Sequence, residues 1–599
     1  MRDFLKYTFA SLVALGIYST LGIAAFFLLL VGLLSSSGSG PQVKDRSVLT
    51  FDLSTRITDA QPTSSTNQVI QEALSDTNTN TISLKQLLNS IDKAAKDSKI
   101  VGLYLHGNLS SGGAGFATLR EVRQALERFR ATGKTIVAYD MAWRESEYYL
   151  ASIANKVVIN PFGSLEINGF RSEATFLAGA LQKYGIGVQV ARVGRYKSAV
   201  EPFLLTKSSP ESRQQTQELL NDLWGEYLSS VGEQRKISVP KLQQVTDSKG
   251  ILLADEALQL KLVDKVSYLD EVITDLKKLT GSDEADRTFR QINMATYSRT
   301  LEDGSEKNTD REVAVLYAEG EIVDGQGERT EVGGDRFARQ LRNLRLDKDV
   351  KAVVLRVNSP GGSVTASEVI QREVILTQKV KPVIVSMGDV AASGGYWIAT
   401  YAERIFAEPT TITGSIGVFG LSINVQNLAN RNGITWDVVK TGRYADSATI
   451  SRPKRPDEIQ FQQRIVDQIY DQFLKRVAES RKLSRQSVES IAEGRVWSGK
   501  AAQKVGLVDE MGGLEVAIRY AAKKANLGDN WQVKEYPQSR SFEDRLLKRL
   551  SGDPASEMTQ RMDPVTIELG KVWKDLKTVR SLNDPTGVYL RLPYNLRIE

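Results

Sequence analysis

Residues Ile384 to Thr400 read IVSMGDVAASGGYWIAT. A β-branched run, Val383-Ile384-Val385, leads into Gly388-Asp389 and then into the small residues Ala391-Ala392-Ser393-Gly394-Gly395. That order predicts a buried strand, a tight turn and the first turn of a helix, with Ser393 at the junction. Backbone N–H groups at a helix start lack intrahelical partners and carry the positive end of the helix dipole. An oxyanion formed by attack of Ser393 would therefore meet donors already in position. Small neighbours let a substrate backbone come close. The pattern departs from the G-x-S-x-G nucleophile elbow at Ala391, and a plain helix cap fits the same residues.

A serine nucleophile needs a base, and the composition restricts the choice. The chain has no cysteine and one histidine, His106. Disulfides, a thiolate nucleophile, a cysteine metal site and a multi-histidine zinc site are thereby excluded, and no cofactor or metal is expected. The base for Ser393 is either His106 or a lysine whose pKa burial has lowered. At 599 residues the chain needs two or more domains, and its 41% hydrophobic and 25% charged content is that of a folded protein. The net charge of +6 is spread thinly, with no basic block, so nucleic acid is not an expected partner.

Outward from the serine, strand-like runs alternate with helical periodicities, the α/β signature. Val48–Leu53, Ile100–Leu105 and Thr135–Tyr139 read as strands, and Ile82–Lys96 and Ala117–Ala131 as helices. The order recurs from Val313, with strands Val313–Tyr317, Ala352–Val357 and Val383–Val385 and helices Ala366–Gln378 and Pro456–Leu483. The recurrence has a fixed offset. Ile136 and Ile384, Tyr148 and Tyr396, Pro161 and Pro409, and Gly194-Arg195-Tyr196 and Gly442-Arg443-Tyr444 all stand 248 residues apart. A shared offset of this kind indicates an internal duplication.

The duplication is informative where it breaks. At the same offset Ser393 falls on Glu145, and Lys197 falls on Ala445. Each half keeps what the other lacks, which points to one composite site at the junction, with Ser393 and Lys197 as its members. A second glycine-rich stretch, Asn358-Ser359-Pro360-Gly361-Gly362-Ser363, follows an apolar strand and precedes a helix starting near Thr365. Pro360 fixes φ, and Gly361-Gly362 permit a backbone nest able to supply oxyanion donors; a plain strand-to-helix turn is the other reading. Its counterpart Ser111-Gly112-Gly113-Ala114 keeps the glycines without the proline.

At the N-terminus, no charged residue occurs between Lys6 and Lys44, and Phe9 to Leu34 is predominantly apolar. That length spans a bilayer of about 30 Å. No clear A-x-A site follows, so an uncleaved signal anchor is expected, a cleaved signal peptide being the alternative, with Ser35–Gly40 as a linker. Arg2 and Lys6 would hold the N-terminus inside and leave the bulk of the chain on the outer face.

Four motifs now stand in order: GRYKSAVEPF (Gly194–Phe203), NSPGGSVTASE (Asn358–Glu368), MGDVAASGGYWIA (Met387–Ala399) and TGSIGVFG (Thr413–Gly420). Together they resemble the signal peptide peptidase family SppA, or protease IV, in its long duplicated form. The resemblance runs from about residue 46 to 540 and is weaker beyond. It implies tandem ClpP/crotonase-like α/β domains after a transmembrane helix, and a serine protease using a Ser-Lys dyad. By motif, Ser393 corresponds to the nucleophile, Lys197 to the general base and Ser415 to a hydroxyl that orients the lysine. Gly394, Gly361 and Gly362 correspond to oxyanion-hole backbone donors. The family further implies a membrane-tethered homotetramer acting on signal-peptide remnants. The expected location is the inner (plasma) membrane, single-pass, with the catalytic part on the periplasmic face; a thylakoid membrane is the alternative. The expected divisions are 1–45 (anchor and linker), 46–305 (repeat with the lysine), 306–540 (repeat with the serine) and 541–599 (extension).

Two other motifs are decoys. Ser90-Ile91-Asp92-Lys93 matches S-x-x-K and Lys440-Thr441-Gly442 matches K-T-G, but no S-D-N accompanies them and Ser90 and Lys93 fall in an amphipathic helix. His106 has no acid clearly placed to orient it and reads as structural. The rival functions are a crotonase-like acyl-CoA enzyme, which would have no use for Lys197, and a catalytically inactive membrane scaffold.

Overall fold

Strands made of unbroken Val, Ile and Leu need cover on both faces, which parallel sheets flanked by helices provide. The computed structural model describes residues 42–60, 81–109, 114–302, 309–328, 330–537 and 588–592, with a few isolated positions before residue 42. The expected membrane segment Phe9–Leu34, the linker Ser35–Gly40, Gly112-Gly113 and nearly all of 541–599 lie outside the described residues, or nearly so. Among the described residues no helix is long and apolar enough to cross a membrane.

Two sheets share one plan. The first runs Gln291–Asn293, Ser47–Asp52, Ile100–His106, Thr135–Trp143, Lys156–Glu166, Ile251–Leu253, parallel throughout except for the last pairing. The second runs Gln532–Tyr536, Glu312–Glu319, Val350–Ser359, Val383–Ala392, Ile412–Gly414, Val496–Ser498, again with only the last pair antiparallel. The duplicated rhythm of the sequence is thus a duplicated mixed α/β sheet. Each half has its own apolar core, one centred on Leu103, Ile136 and Tyr148, the other on Leu355, Val385 and Tyr396.

Helix ends follow local chemistry. Leu84–Lys96 begins at a Ser83/Gln86 capping box, Val364–Gln378 begins where the Ser363 hydroxyl accepts from Ala366 N, and Pro456–Arg481 stops at Lys482 in the left-handed region. Ser90 of the S-x-x-K decoy is buried inside Leu84–Lys96, its hydroxyl donating to Gln86 O.

The expected tight turn at Gly388-Asp389 is not formed. The strand continues from Val383 to Ala392, because it changes neighbours partway along. Its first part pairs with Arg404–Ala407 and its end with Ile412–Gly414. The Asn358 side chain accepts from Val390 N at the register break, so no turn is required to satisfy the backbone there. Asp389 serves the other half instead. Its carboxylate accepts from Gly115 N, Thr118 N and the Thr118 hydroxyl, capping the helix Phe116–Ala131.

Two further features join the halves. A buried charge cluster lies between them: Arg356, with no exposed surface, donates through Nε to Asp59 at 2.7 Å and lies 2.7 Å from the Glu121 carboxylate, both acids belonging to the first half. Beside it, Arg120 donates to Glu408 at 2.8 Å. The second connection is a third sheet, ordered Val332–Gly333, Ile322–Val323, Gly361–Ser363, Val588–Arg591, Val418–Asn424, Gly187–Val193. Its outer strand Gly187–Val193 comes from the first half and pairs antiparallel with Val418–Asn424 of the second over seven residues. The duplicate of that outer strand, residues 435–441, is irregular and exposed.

Candidate active site

The pairing of Gly187–Val193 with Val418–Asn424 fixes where the first half ends its reach. After Val193 the chain turns at Gly194, φ +101°, where a Cβ would stand 2.4 Å from Glu493 O. Tyr196 N donates to Glu493 O, and Lys197 follows, wholly buried. Two glycines of the second half make room for it. A Cβ at Gly494, φ +81°, would lie 2.6–2.7 Å from Lys197 N, Cα and Cβ, and one at Gly417 would lie 3.2 Å from Lys197 Cδ.

Ser393 is delivered by the long strand ending at Ala392. It has φ +56° and ψ −111°, a conformation that costs a residue with a side chain about 1–3 kcal/mol. Its N–H donates to Gly414 O and its carbonyl accepts from Trp397 N, so the strain is held by the sheet on one side and the helix Gly394–Ala399 on the other. Ser415, also at positive φ, donates its N–H to Arg495 O.

These elements bring Lys197 Nζ to 2.7 Å from Ser393 Oγ, 3.1 Å from Ser415 Oγ and 3.1 Å from Ser415 O. No carboxylate is among those contacts. Burial pushes the Lys197 amine well below the usual lysine range, and the nearby Arg591 guanidinium pushes in the same direction. His106 lies elsewhere, at the end of Ile100–His106, with its ring stacked 5.0 Å from Tyr104.

With that geometry in view, the comparisons with known proteins are specific. The model of Peptidase family S49 matches residues 128–283 and again 375–528, so it recurs across the two halves. The chain belongs to peptidase family S49. A Clp protease model also matches residues 304–413. Protease 4 of Salmonella typhi is 34% identical over 589 residues, covering 95% of this chain and 94% of that one. Protease 4 of Haemophilus influenzae is 35% identical, covering 87% of each. A chloroplastic serine protease SPPA of Arabidopsis thaliana is 34% identical over 76% of this chain and 67% of its own. Among solved structures, a ClpP1 mutant from Listeria monocytogenes aligns at 18% identity over 37% of this chain and 98% of that one, with a TM-score of 0.23, too slight to argue from.

This S49 chain is therefore a serine protease with duplicated domains of ClpP-like fold, and the acyl-CoA and scaffold readings fall away. The glycines singled out in its sequence lie beside Ser393. Gly361, φ +93°, and Gly394 touch: a Cβ on Gly361 would stand 2.6 Å from Gly394 N, and one on Gly394 would stand 3.1 Å from Gly361 Cα. Gly361 N donates to Ser359 Oγ at 3.2 Å. Gly362 pairs with Leu590 of the strand Val588–Arg591, which lies between Gly361–Ser363 and Val418–Asn424.

Sequence reasoning missed Gly494, Gly417, the Arg356 cluster and this last strand. A glycine before the short apolar run Val496–Ser498 signals a turn, which was the one available clue to Gly494. The other three are visible only once distant segments meet.

Proposed function

We propose that this protease is an endopeptidase working through a Ser393–Lys197 dyad, anchored by Phe9–Leu34 to a plasma or thylakoid membrane and acting on signal-peptide remnants. The 2.7 Å approach of Lys197 Nζ to Ser393 Oγ carries this reading. A neutral amine has two N–H groups and one lone pair. Ser415 O and Ser415 Oγ, both at 3.1 Å, take the two N–H groups, which leaves the lone pair for the Ser393 hydroxyl proton. Ser415 is in this way the residue that orients Lys197.

Lys197 would accept that proton as Ser393 Oγ attacks the peptide carbonyl, then give it to the departing amine. Water would hydrolyse the acyl-enzyme with Lys197 again as base. The oxyanion would form against the backbone of Gly394 and the Gly361-Gly362 turn. The ClpP-like fold accords with assembly into an oligomer, which we take to be a homotetramer.

Cleavage of a fluorogenic peptide by the full chain in detergent tests the assignment. Ser393→Ala and Lys197→Ala should each abolish turnover while leaving the melting temperature in place; turnover surviving Lys197→Ala would show that another base operates.

A further inference from the structure

We propose that Gln215 is a positioning residue for the Lys197 base, a role that rests on the dyad reading above. Lys197 lies on a short irregular stretch between the strand Gly187–Val193 and the single turn Ser198–Val200, so no ladder of its own fixes its backbone. A base held loosely is a poor one: a misplacement of about 1 Å can cost a factor of about 10² in rate.

Gln215 supplies the hold. It belongs to the helix Pro210–Arg235 of the first half and is buried. Its Nε2 donates to Tyr196 O at 3.1 Å and to Ser198 Oγ at 3.2 Å, the residues on either side of Lys197, and its Oε1 accepts from Val496 N at 3.1 Å. Those partners fix the amide's orientation, because turning it over would set oxygen against the Tyr196 carbonyl and N–H against the Val496 N–H. Val496 follows Arg495, whose carbonyl accepts from Ser415 N. One amide plane thus ties the backbone that carries the amine to the backbone that carries Ser415.

The helix is itself seated on the second half. Leu219 and Leu223, on the same face as Gln215, pack with Ala392, Ile412 and Val496, and Ala392 is the residue before Ser393. Ser498 Oγ donates to Asp222 at 2.5 Å, and Arg495 pairs with Glu218. The duplication offers an internal comparison. The matching helix Pro456–Arg481 has the same 26 residues and also starts with proline. In that register Tyr227 corresponds to Phe473, both buried, whereas Gln215 corresponds to Phe461, which is 55% exposed. The half with Ala445 at the lysine position has no amide here. The clasp accompanies the lysine.

None of the Gln215 hydrogen bonds reaches Ser393, so their loss should slow chemistry rather than weaken peptide binding. The test compares the full-length wild type with Gln215→Met on a fluorogenic peptide, with rates normalised to the sites that a sulfonyl fluoride labels. kcat should fall about tenfold to a hundredfold, with KM within about twofold of wild type. The pH midpoint of kcat/KM should also move up toward the ordinary lysine range, because a released loop lets water reach an amine that burial holds low. The charges around the loop stay as they are: Arg195 on Glu493, Arg495 on Glu218 and Arg591 on Glu321. A purely structural glutamine would lower the melting temperature and leave the midpoint in place. Ser198→Ala removes one of the three contacts; it should lower kcat about threefold with the midpoint moving the same way, and it carries the test if Gln215→Met does not fold. An unchanged kcat, or a fall in kcat with an unmoved midpoint, would overturn the proposal. Turnover surviving Lys197→Ala would instead remove the dyad itself, and this role with it.

Discussion

Lys197 of the first half and Ser393 of the second stand 2.7 Å apart through their Nζ and Oγ atoms, 196 residues apart in sequence and wholly buried. The lysine lies in a place where its charged form is disfavoured, and folding carries that cost. A group whose pKa is depressed in the fold contributes stability above its unfolded value, near 10.4, and loses it as pH falls. At neutral pH wild-type Lys197 is thus a liability. Lys197→Met should lower kcat/KM by a factor of about 10³ or more and leave the melting temperature equal or higher, as calorimetry would show.

The same depression bears on the pH profile. With Lys197 as the proposed base its neutral form would be the active one, so kcat/KM should rise with pH through the lowered pKa and reach its plateau below the ordinary lysine value of about 10.4. A profile still climbing at pH 10 would contradict the burial argument. Ser415→Ala removes one of the two acceptors that aim the amine, and its kcat should fall about tenfold to a hundredfold.

Gly494 is a quieter determinant. Its φ of +81° and the 2.6 Å clash that a Cβ would make with Lys197 N mean that Gly494→Ala must displace the lysine loop. Activity should drop at least about tenfold, with a stability loss of about 1–3 kcal/mol measured by denaturant titration.

Between the halves, Arg356 neutralises Asp59 and Glu121 in the interior. Arg356→Met leaves two buried acids without their cation and should destabilise by about 3–5 kcal/mol. Denaturant unfolding would detect it, and a variant within about 1 kcal/mol of wild type would show that the cluster is dispensable.

Glu408, beside that cluster, has its carboxyl pushed up to about 7 by burial and by Glu121, against the pull of Arg120. A raised carboxylate stabilises the fold fully below its unfolded pKa, near 4.3, and that contribution is lost as pH rises through about 7. Glu408→Gln should therefore flatten the fall in melting temperature between pH 5 and pH 8. An unchanged slope would assign the pH dependence elsewhere.

Much of this arrangement was legible before any coordinates. The 248-residue offset exposed the paired losses at Glu145 and Ala445, and apolar runs bounded by glycine marked the strands that carry Ser393. What was not legible depends on contacts between segments. The turn expected at Gly388-Asp389 gave way to a continuous strand because Asn358, on another strand, satisfied the backbone. Nothing local told that Asp59 and Glu121 would bury Arg356. Val588–Arg591 is four residues long, too short for any periodicity to announce a strand.

One strand of the first half, Gly187–Val193, is stitched into a sheet whose other strands belong to the second. Copying a gene segment ordinarily yields two self-sufficient units that can later part company. Here the loan of that strand ties the copies together: the first half completes a sheet of the second. On the dyad proposed above, with the serine on one side and the lysine on the other, inheritance of the two halves as a single reading frame would be a condition of activity.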